Sequence, residues 1–357
     1  MKNTDPSRRD AGPIEPGSSA QVPGSKRLQM ADIARMAGVS TTTVSRALSG
    51  SSLVNKATRK RVTELARSLN YTVNAGAKEL RLGHSTTVAV TLPYDARMRR
   101  ALSDPISLGI LGSIADALAE RGYEMLLSRL DVESLPLAAT PYDSGRAMGI
   151  ILIGMQHRHD DLNQLAARGV PLVVWGAQLP NQLYCTIGGD DLEGGRVATA
   201  HLLTRGRRRI AFLGDLSVPE MAQRHEGYRQ ALTEAGVGPD AALLSPVPLR
   251  AESARDAVLQ LKARSAGFDA VFCCSDLMAV SAISTLRSLG VRVPQEVSVI
   301  GFDDSPLAAL FDPPITTVRQ PIEHGGRALV EALLSFHARS APPPQVLPVE
   351  LIIRGSA

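Results

Sequence analysis

The side chains near the amino end with the clearest chemical potential are Thr41, Thr42, Thr43, Ser45 and Arg46, within Thr41-Thr-Thr-Val-Ser-Arg-Ala-Leu48. On a helix, Val44, Ala47 and Leu48 fall to one side and Thr41, Thr42, Ser45 and Arg46 to the other. Hydroxyls of this size reach base edges or phosphates. A guanidinium grips phosphate or the O6/N7 edge of guanine, so the face suits a helix laid in the major groove of double-stranded DNA.

Catalytic chemistry is poorly served by comparison. The carboxylate pairs Asp190/Asp191 and Asp303/Asp304 have the right residue types for acid and base, but nothing nearby supplies the other parts of a reacting site. The chain has no Gly-x-Ser-x-Gly elbow, no phosphate-binding Gly-x4-Gly-Lys-Ser/Thr loop and no His-Glu-x-x-His pair. His157 and His159, in Gln156-His-Arg-His-Asp160, fit a polar loop better than a metal site. Cys185, Cys273 and Cys274 lack the four-ligand spacing of a zinc site and read as buried reduced thiols. No enzyme activity and no cofactor are expected.

The elements that must position the polar face are legible. Met30, Ile33, Ala34 and Ala37 recur at i, i+3, i+4 and i+7, which predicts a short helix with one small apolar stripe. Gly38 suits the left-handed position that ends it, and Ser40 suits the N-cap of the next helix. A third helix is predicted over residues 58–69, where Val62, Leu65, Ala66 and Leu69 repeat the stripe. The whole is a helix-turn-helix with a small core.

Charge supports this placement. The chain carries +4 overall, yet residues 26–84 hold eleven basic and three acidic side chains, a local +8 that favours phosphate backbones. Residues 1–26 carry four prolines and no apolar run of signal-peptide length, so a disordered arm is expected. No stretch approaches the ~20 apolar residues of a membrane span. A cytoplasmic protein is expected.

After residue 85, short apolar runs alternate with amphipathic stretches. Strands are predicted at 87–92, 123–127, 149–153, 171–175, 209–213, 270–273 and 297–301, and helices at 110–121, 194–205, 226–235 and 278–289. That alternation predicts an α/β body of parallel sheets flanked by helices. In such folds ligands bind beyond the carboxyl ends of the strands.

Ile33-Ala-Arg-Met-Ala-Gly-Val-Ser-Thr-Thr-Thr-Val-Ser-Arg-Ala-Leu48, then Thr58-Arg-Lys-Arg-Val62 and Leu69-Asn-Tyr-Thr-Val-Asn74, closely resemble the lactose/galactose repressor (LacI/GalR) family of transcription regulators. Segments from Asp190, His201, Arg224, Val297 and Leu347 continue the likeness, so it runs from about residue 28 to the end. The resemblance implies a three-helix helix-turn-helix head at 27–73 and a hinge helix at 74–85. A two-subdomain, periplasmic-binding-protein-like body follows at 86–357. Its N-subdomain would take 86–186 and 320–348, and its C-subdomain 187–319 and 349–357. In the hinge the resemblance assigns DNA contacts to Asn74, Ala77 and Leu80, with Leu80 wedged between minor-groove base pairs. Val73 departs from the family, which often has proline there, and Gly76 costs about 1 kcal/mol of helix propensity relative to Ala.

For the body, the resemblance implies an effector cleft. It assigns Arg224 as a donor to effector hydroxyls or carboxylates, Asp303 as an acceptor, and Ser275 at a position where asparagine is frequent. Ile106 and Leu108 fall in the loop where the family places aromatics over a sugar ring, and His157, Glu220 and Gln320 complete the expected set. Plain alternatives are a surface helix position for Arg224, a turn for Asp303, an N-cap for Asp276 and a packed strand-end tryptophan for Trp175. The acidic Glu220 argues against a sugar phosphate. The resulting expectation is a homodimeric repressor of carbohydrate uptake or catabolism genes, bound to a pseudo-palindromic operator and relieved by a small neutral α-glucoside-type oligosaccharide. A corepressor-dependent regulator with a non-sugar metabolite is the neighbouring reading. A sugar-binding transport protein would need a secretion signal and no DNA-binding head.

Overall fold

The computed structural model describes residues 28–69, 71, 85–94, 104–154, 158–264, 267–336 and 342–357. The chain divides between Lys78 and Glu79 into two compact units. Asn74, Ala77, Leu80 and His157, together with the amino-terminal arm and nearly all of the hinge segment, lie outside the described residues.

In the first unit, α1 (Met30–Ala37), α2 (Thr41–Leu48) and α3 (Lys56–Ser68) pack on one another. Ile33, Val44 and Val62 are fully buried, and Ala34, Ala37, Ala47 and Val54 close the core around them. Burying an aliphatic side chain of this kind contributes about 1.5–3 kcal/mol. So small a core leaves little margin, and the caps therefore matter. Gly38 ends α1 at φ 63°, a left-handed conformation that costs glycine nothing, and its N–H donates to the Ala34 and Arg35 carbonyls. Ser40 opens α2 by accepting from the Thr43 N–H at 3.1 Å. Helix α3 begins two residues before its predicted start because Asn55, not a later residue, caps it through the Thr58 N–H at 2.7 Å.

The second unit contains two six-stranded sheets. Its strands in chain order are β1 (Thr87–Tyr94), β2 (Glu124–Asp131), β3 (Ile150–Ile153), β4 (Leu172–Trp175), β5 (Cys185–Gly189), β6 (Ile210–Leu213), β7 (Leu244–Ser245), β8 (Ala270–Cys273), β9 (Ser298–Asp303), β10 (Thr316–Arg319), β11 (Gln345–Leu347) and β12 (Glu350–Ile352). The first sheet runs β11-β5-β4-β3-β1-β2 and the second β12-β10-β9-β8-β6-β7. Every pairing is parallel except β10 with β12.

The helices of this unit are α4 (Pro105–Ala119), α5 (Thr140–Asp143), α6 (His159–Ala167), α7 (Asp191–Thr204), α8 (Pro219–Glu234), α9 (Ala251–Ala263), α10 (Asp276–Ser288), α11 (Pro306–Leu310) and α12 (Ile322–Ser335). They cover both faces of each sheet, which is why the central strands are continuous apolar runs. Val88, Val90 and Leu92 of β1 enter one core and Ala89 the opposite one. In the second sheet Ala211 and Leu213 face one core, Ile210 and Phe212 the other.

The chain passes between the two lobes after β5, after β10 and between β11 and β12. The first passage falls at Gly189 and Asp190, so β5 lies whole in the first lobe instead of being cut at 186/187. Strands β5, β7, β10, β11 and β12 are absent from the predicted set because each is short and either glycine- or threonine-bearing or at a sheet edge. Residues 104–108 are not a loop. Asp104 caps α4 through the Ser107 N–H at 3.1 Å, and Pro105 starts the helix. All three cysteines are buried and unpaired.

Candidate functional site

The polar face of α2 is open. Thr41, Thr42 and Arg46 are exposed, Thr43 and Ser45 half-buried. The Thr43 hydroxyl lies 2.8 Å from that of Ser40, so it braces the cap instead of standing free. Among the described residues no carboxylate pairs with the Arg46 guanidinium, which leaves its donors for a phosphate or a base edge. Basic side chains of the head divide by role. Lys56, Lys60, Arg61 and Arg67 are exposed along α3, whereas Arg59 turns inward and donates to the Ser51 and Val54 carbonyls at 2.6 and 3.2 Å. Arg59 thus fixes the connection between α2 and α3.

In the body, a cleft opens between the two lobes at the carboxyl ends of their strands, the position that the parallel topology favours for a ligand. Its cavity volume is about 110 Å³. Leu92, Ile106, Ile153 and Trp175 line it from the first lobe, and Glu220, Arg224, Ser275 and Asp303 from the second. Gln320, at the second passage between lobes, lies against both.

Arg224 is placed by a close helix crossing. At Gly227, one turn along α8, a Cβ would come within 1.9 Å of the Leu192 carbonyl oxygen of α7, so only glycine allows the two backbones to approach this far. That approach delivers Arg224 to the amino-terminal turn of α7. Its Nε donates to Asp191 Oδ1 at 2.7 Å and its Nη1 to the Cys274 carbonyl at 2.7 Å, while the guanidinium lies 3.6 Å over the Phe302 ring. Arg224 is therefore a buried residue of the cleft wall, with Nη2 free of protein hydrogen bonds among the described residues. Burial pushes the Asp191 carboxyl above the usual carboxylate range, an effect that Arg224 opposes.

Asp303 ends β9 with φ 119°, a conformation that costs a non-glycine residue of order 1–3 kcal/mol and recurs at functional sites. It accepts from Gln320 Nε2 at 2.7 Å. Burial holds its carboxyl well above the ordinary value, with Arg224 opposing and the nearby Asp276 and Asp104 adding to the rise. Ser275 caps α10 through the Met278 N–H at 3.3 Å, so Ser275, and not Asp276, is the N-cap. Asp276 instead ties the second sheet to α11, accepting from the Ser305 N–H at 2.6 Å and the Thr317 hydroxyl at 2.5 Å. Burial moves its carboxyl up to about 6.

One of the anticipated effector residues needs restating. Leu108 is 49% exposed and does not line the cleft. It follows Ile106 by two helical positions, about 200° around α4, so only one of the pair can face inward. Trp175 is packed at the end of β4, 8% exposed, and also lines the cleft. Sequence reasoning missed Asp191 as the partner of Arg224, and Asp104, Ser107 and Arg129 as cleft-lining groups. For Asp191 a signal existed, an acidic pair at the start of a predicted helix, but its partner is 33 residues away.

A helix-turn-helix head joined to a two-lobed α/β body with a polar inter-lobe cleft defines a transcription regulator with a ligand-binding body. Residues 29–74 match the model of bacterial regulatory proteins of the lacI family, and residues 199–357 that of a periplasmic binding protein-like domain. The regulator CelR of Thermobifida fusca is 35% identical over 332 residues, 91% of this chain and 96% of that protein. The chain belongs to the lacI family of DNA-binding transcription regulators. A solved CelR–cellobiose complex matches with a TM-score of 0.70 and 31% identity, covering 93% of this chain and 100% of that one. The lac repressor dimer bound to operator and the anti-inducer ONPF matches at a TM-score of 0.82 and 26% identity, covering 93% and 99%. Among the described residues no helix is long and apolar enough to cross a membrane.

Proposed function

We propose that this regulator is a repressor that binds a pseudo-palindromic operator as a homodimer and is released by a neutral glucoside of about disaccharide size. The observation that carries the ligand class is the charge of the cleft. Asp104, Asp191, Glu220 and Asp303 line it together with Arg129 and Arg224, and Arg224 is already paired with Asp191. Among the described residues a phosphate or carboxylate would enter beside more acids than cations even without Glu220, whereas sugar hydroxyls can use Arg224 Nη2, Asp303 and Ser275 as mixed donors and acceptors. The cellobiose held by CelR supports a glucose disaccharide.

Thr41, Thr42, Ser45 and Arg46 are the proposed major-groove contacts, with Asn74, Ala77 and Leu80 as hinge contacts. The test is operator binding followed by fluorescence anisotropy across a panel of neutral disaccharides, with binding of each measured separately by calorimetry. Effector and operator must oppose each other reciprocally, so the active sugar should weaken operator binding by roughly 5- to 150-fold. A sugar that binds and leaves operator affinity unchanged would overturn induction. Tightening of operator binding would point to corepression. Exclusive binding of a phosphorylated sugar would overturn the ligand class.

A further inference from the structure

Glu220 is the one acidic group of the cleft whose chemistry the proposed ligand set leaves unexplained. It stands in the first turn of α8 and lines the cleft. Its Oε2 is sealed from solvent and has no hydrogen-bond partner among the described residues. The backbone N–H groups of Glu220 itself and of Ala177, in the first lobe, face the carboxyl. One helical turn on, Gln223 Nε2 donates to the Gln178 carbonyl at 3.1 Å, so this face of α8 meets residues 177 and 178 of the opposite lobe at two adjacent points.

Among the described residues the charged and titratable groups that act with Glu220 are Asp191 on α7, Arg224 on its own helix and Tyr184 just before β5. Arg224 is spent on Asp191, 2.7 Å away, and offers Glu220 only a partial offset. Tyr184 is 3% exposed and its hydroxyl lies 2.8 Å from His159 Nδ1. Among the described residues no cation is dedicated to Glu220. Glu220 as a whole is half-buried and its two backbone donors favour the carboxylate, but desolvation outweighs them, and a neutral acid with one oxygen unpartnered keeps a donor available.

We propose that Glu220 works as a neutral carboxylic acid in the cleft, donating its proton in a hydrogen bond to an oxygen of the bound sugar while its carboxyl also meets the first lobe at Ala177, so that effector binding is tied to the protonation of this residue. The assignment deepens the neutral-sugar reading and rests on it for the identity of the ligand. The last side-chain torsion of a glutamate is soft and the two oxygens exchange by it, so the proton is carried on whichever oxygen faces the ligand. Burial and the negative Asp191 raise its pKa, in keeping with that form. The charge state then acts as a filter. Anionic sugars meet Asp303 beside an Arg224 already spent on Asp191, and a cationic amino sugar binds only by drawing the proton off Glu220.

Two measurements on the full chain test this independently. In the first, cellobiose and other neutral disaccharides are titrated calorimetrically between pH 6 and pH 9. The wild-type affinity should fall as pH passes the Glu220 pKa, by about tenfold per unit beyond it. In Glu220→Gln that dependence should vanish, whatever the variant's affinity at pH 6; a remaining slope of equal size would assign the titration to Asp303 and overturn the role of Glu220. Tightening of a glucosamine disaccharide with rising pH in the wild type, with neutral sugars flat, would also overturn it.

The second measurement needs no ligand. A carboxyl whose folded pKa is raised binds its proton more tightly in the folded state, so its contribution is present below the unfolded pKa and is lost as pH rises toward the folded one. Thermal stability of the wild type relative to Glu220→Gln should therefore decline steadily as pH rises above about 4.3. A difference that is flat above pH 5.5 means an ordinary, ionised Glu220 and overturns the proposal. If no neutral sugar binds but the decline is present, the sugar reading fails and the protonated state stands.

Discussion

Replacing Arg224 by alanine tests how far binding and folding share one side chain. In the folded body the Arg224 and Asp191 side chains are 6% and 4% exposed and meet at 2.7 Å. Truncation leaves the Asp191 carboxylate unpaired in the interior, strands the Cys274 carbonyl and empties the space over Phe302. Breaking a buried ion pair by removing one partner costs about 3–5 kcal/mol. For a body of about 270 residues the unfolding entropy is near 0.57 kcal/mol/K, so the melting temperature should fall by roughly 5–9 °C.

The deficit should also depend on pH. Without Arg224, the Asp191 pKa rises further above its unfolded value, so stability is lost as pH climbs through that window and the variant is least impaired in acid. Calorimetric or circular-dichroism melts at pH 5 and pH 8 would show this directly. Pairing Arg224→Met with Asp191→Asn removes the orphaned charge and should be milder than Arg224→Ala alone. A loss below about 1 kcal/mol for Arg224→Ala, or strict additivity with Asp191→Asn, would refute the reasoning, because buried partners in contact must couple. As an effector donor alone, Arg224 could be replaced by alanine with the effector response silenced and DNA binding spared. With the ion pair in view, a fall in folded protein should accompany the silenced response, so operator binding must be read per folded molecule.

Two further outcomes concern the helices. Gly227→Ala sets a Cβ against the Leu192 carbonyl at 1.9 Å, and a backbone neighbour cannot step aside as a side chain would; a loss of about 3 kcal/mol, with the effector response impaired through displaced Arg224, should appear in denaturant melts. Arg46→Ala removes an exposed guanidinium from the polar face of α2, so operator binding should weaken with the fold of the head intact by circular dichroism. If Arg46 holds a phosphate, the slope of log affinity against log salt should shrink by about 0.9; an unchanged slope with altered base preference would make it a base contact instead.

What the linear sequence determined is what local physics writes into neighbouring residues. Glycine at position 38 is the inexpensive residue for a left-handed helix end, Ser40 is a natural cap, and the 3.6-residue stripe of α1 and α2 leaves one side of α2 polar. The central strands were visible for the same reason, since a strand covered on both faces must be apolar throughout. Residues 41–46 could thus be matched to DNA chemistry before any fold was known.

The tertiary structure decided everything that depends on residues distant in the chain. Whether Arg224 faced water or a cleft was settled by its meeting with Asp191, 33 residues earlier, and with Cys274, 50 residues later. Ile106 and Leu108 were equivalent in sequence until helix geometry turned one inward and the other out. Strands β10, β11 and β12 owe their existence to the partners that wait for them across the sheets, not to their own composition. Periodicity records which face of an element is buried; it carries no record of what lies against that face, and a binding cleft is made from such contacts.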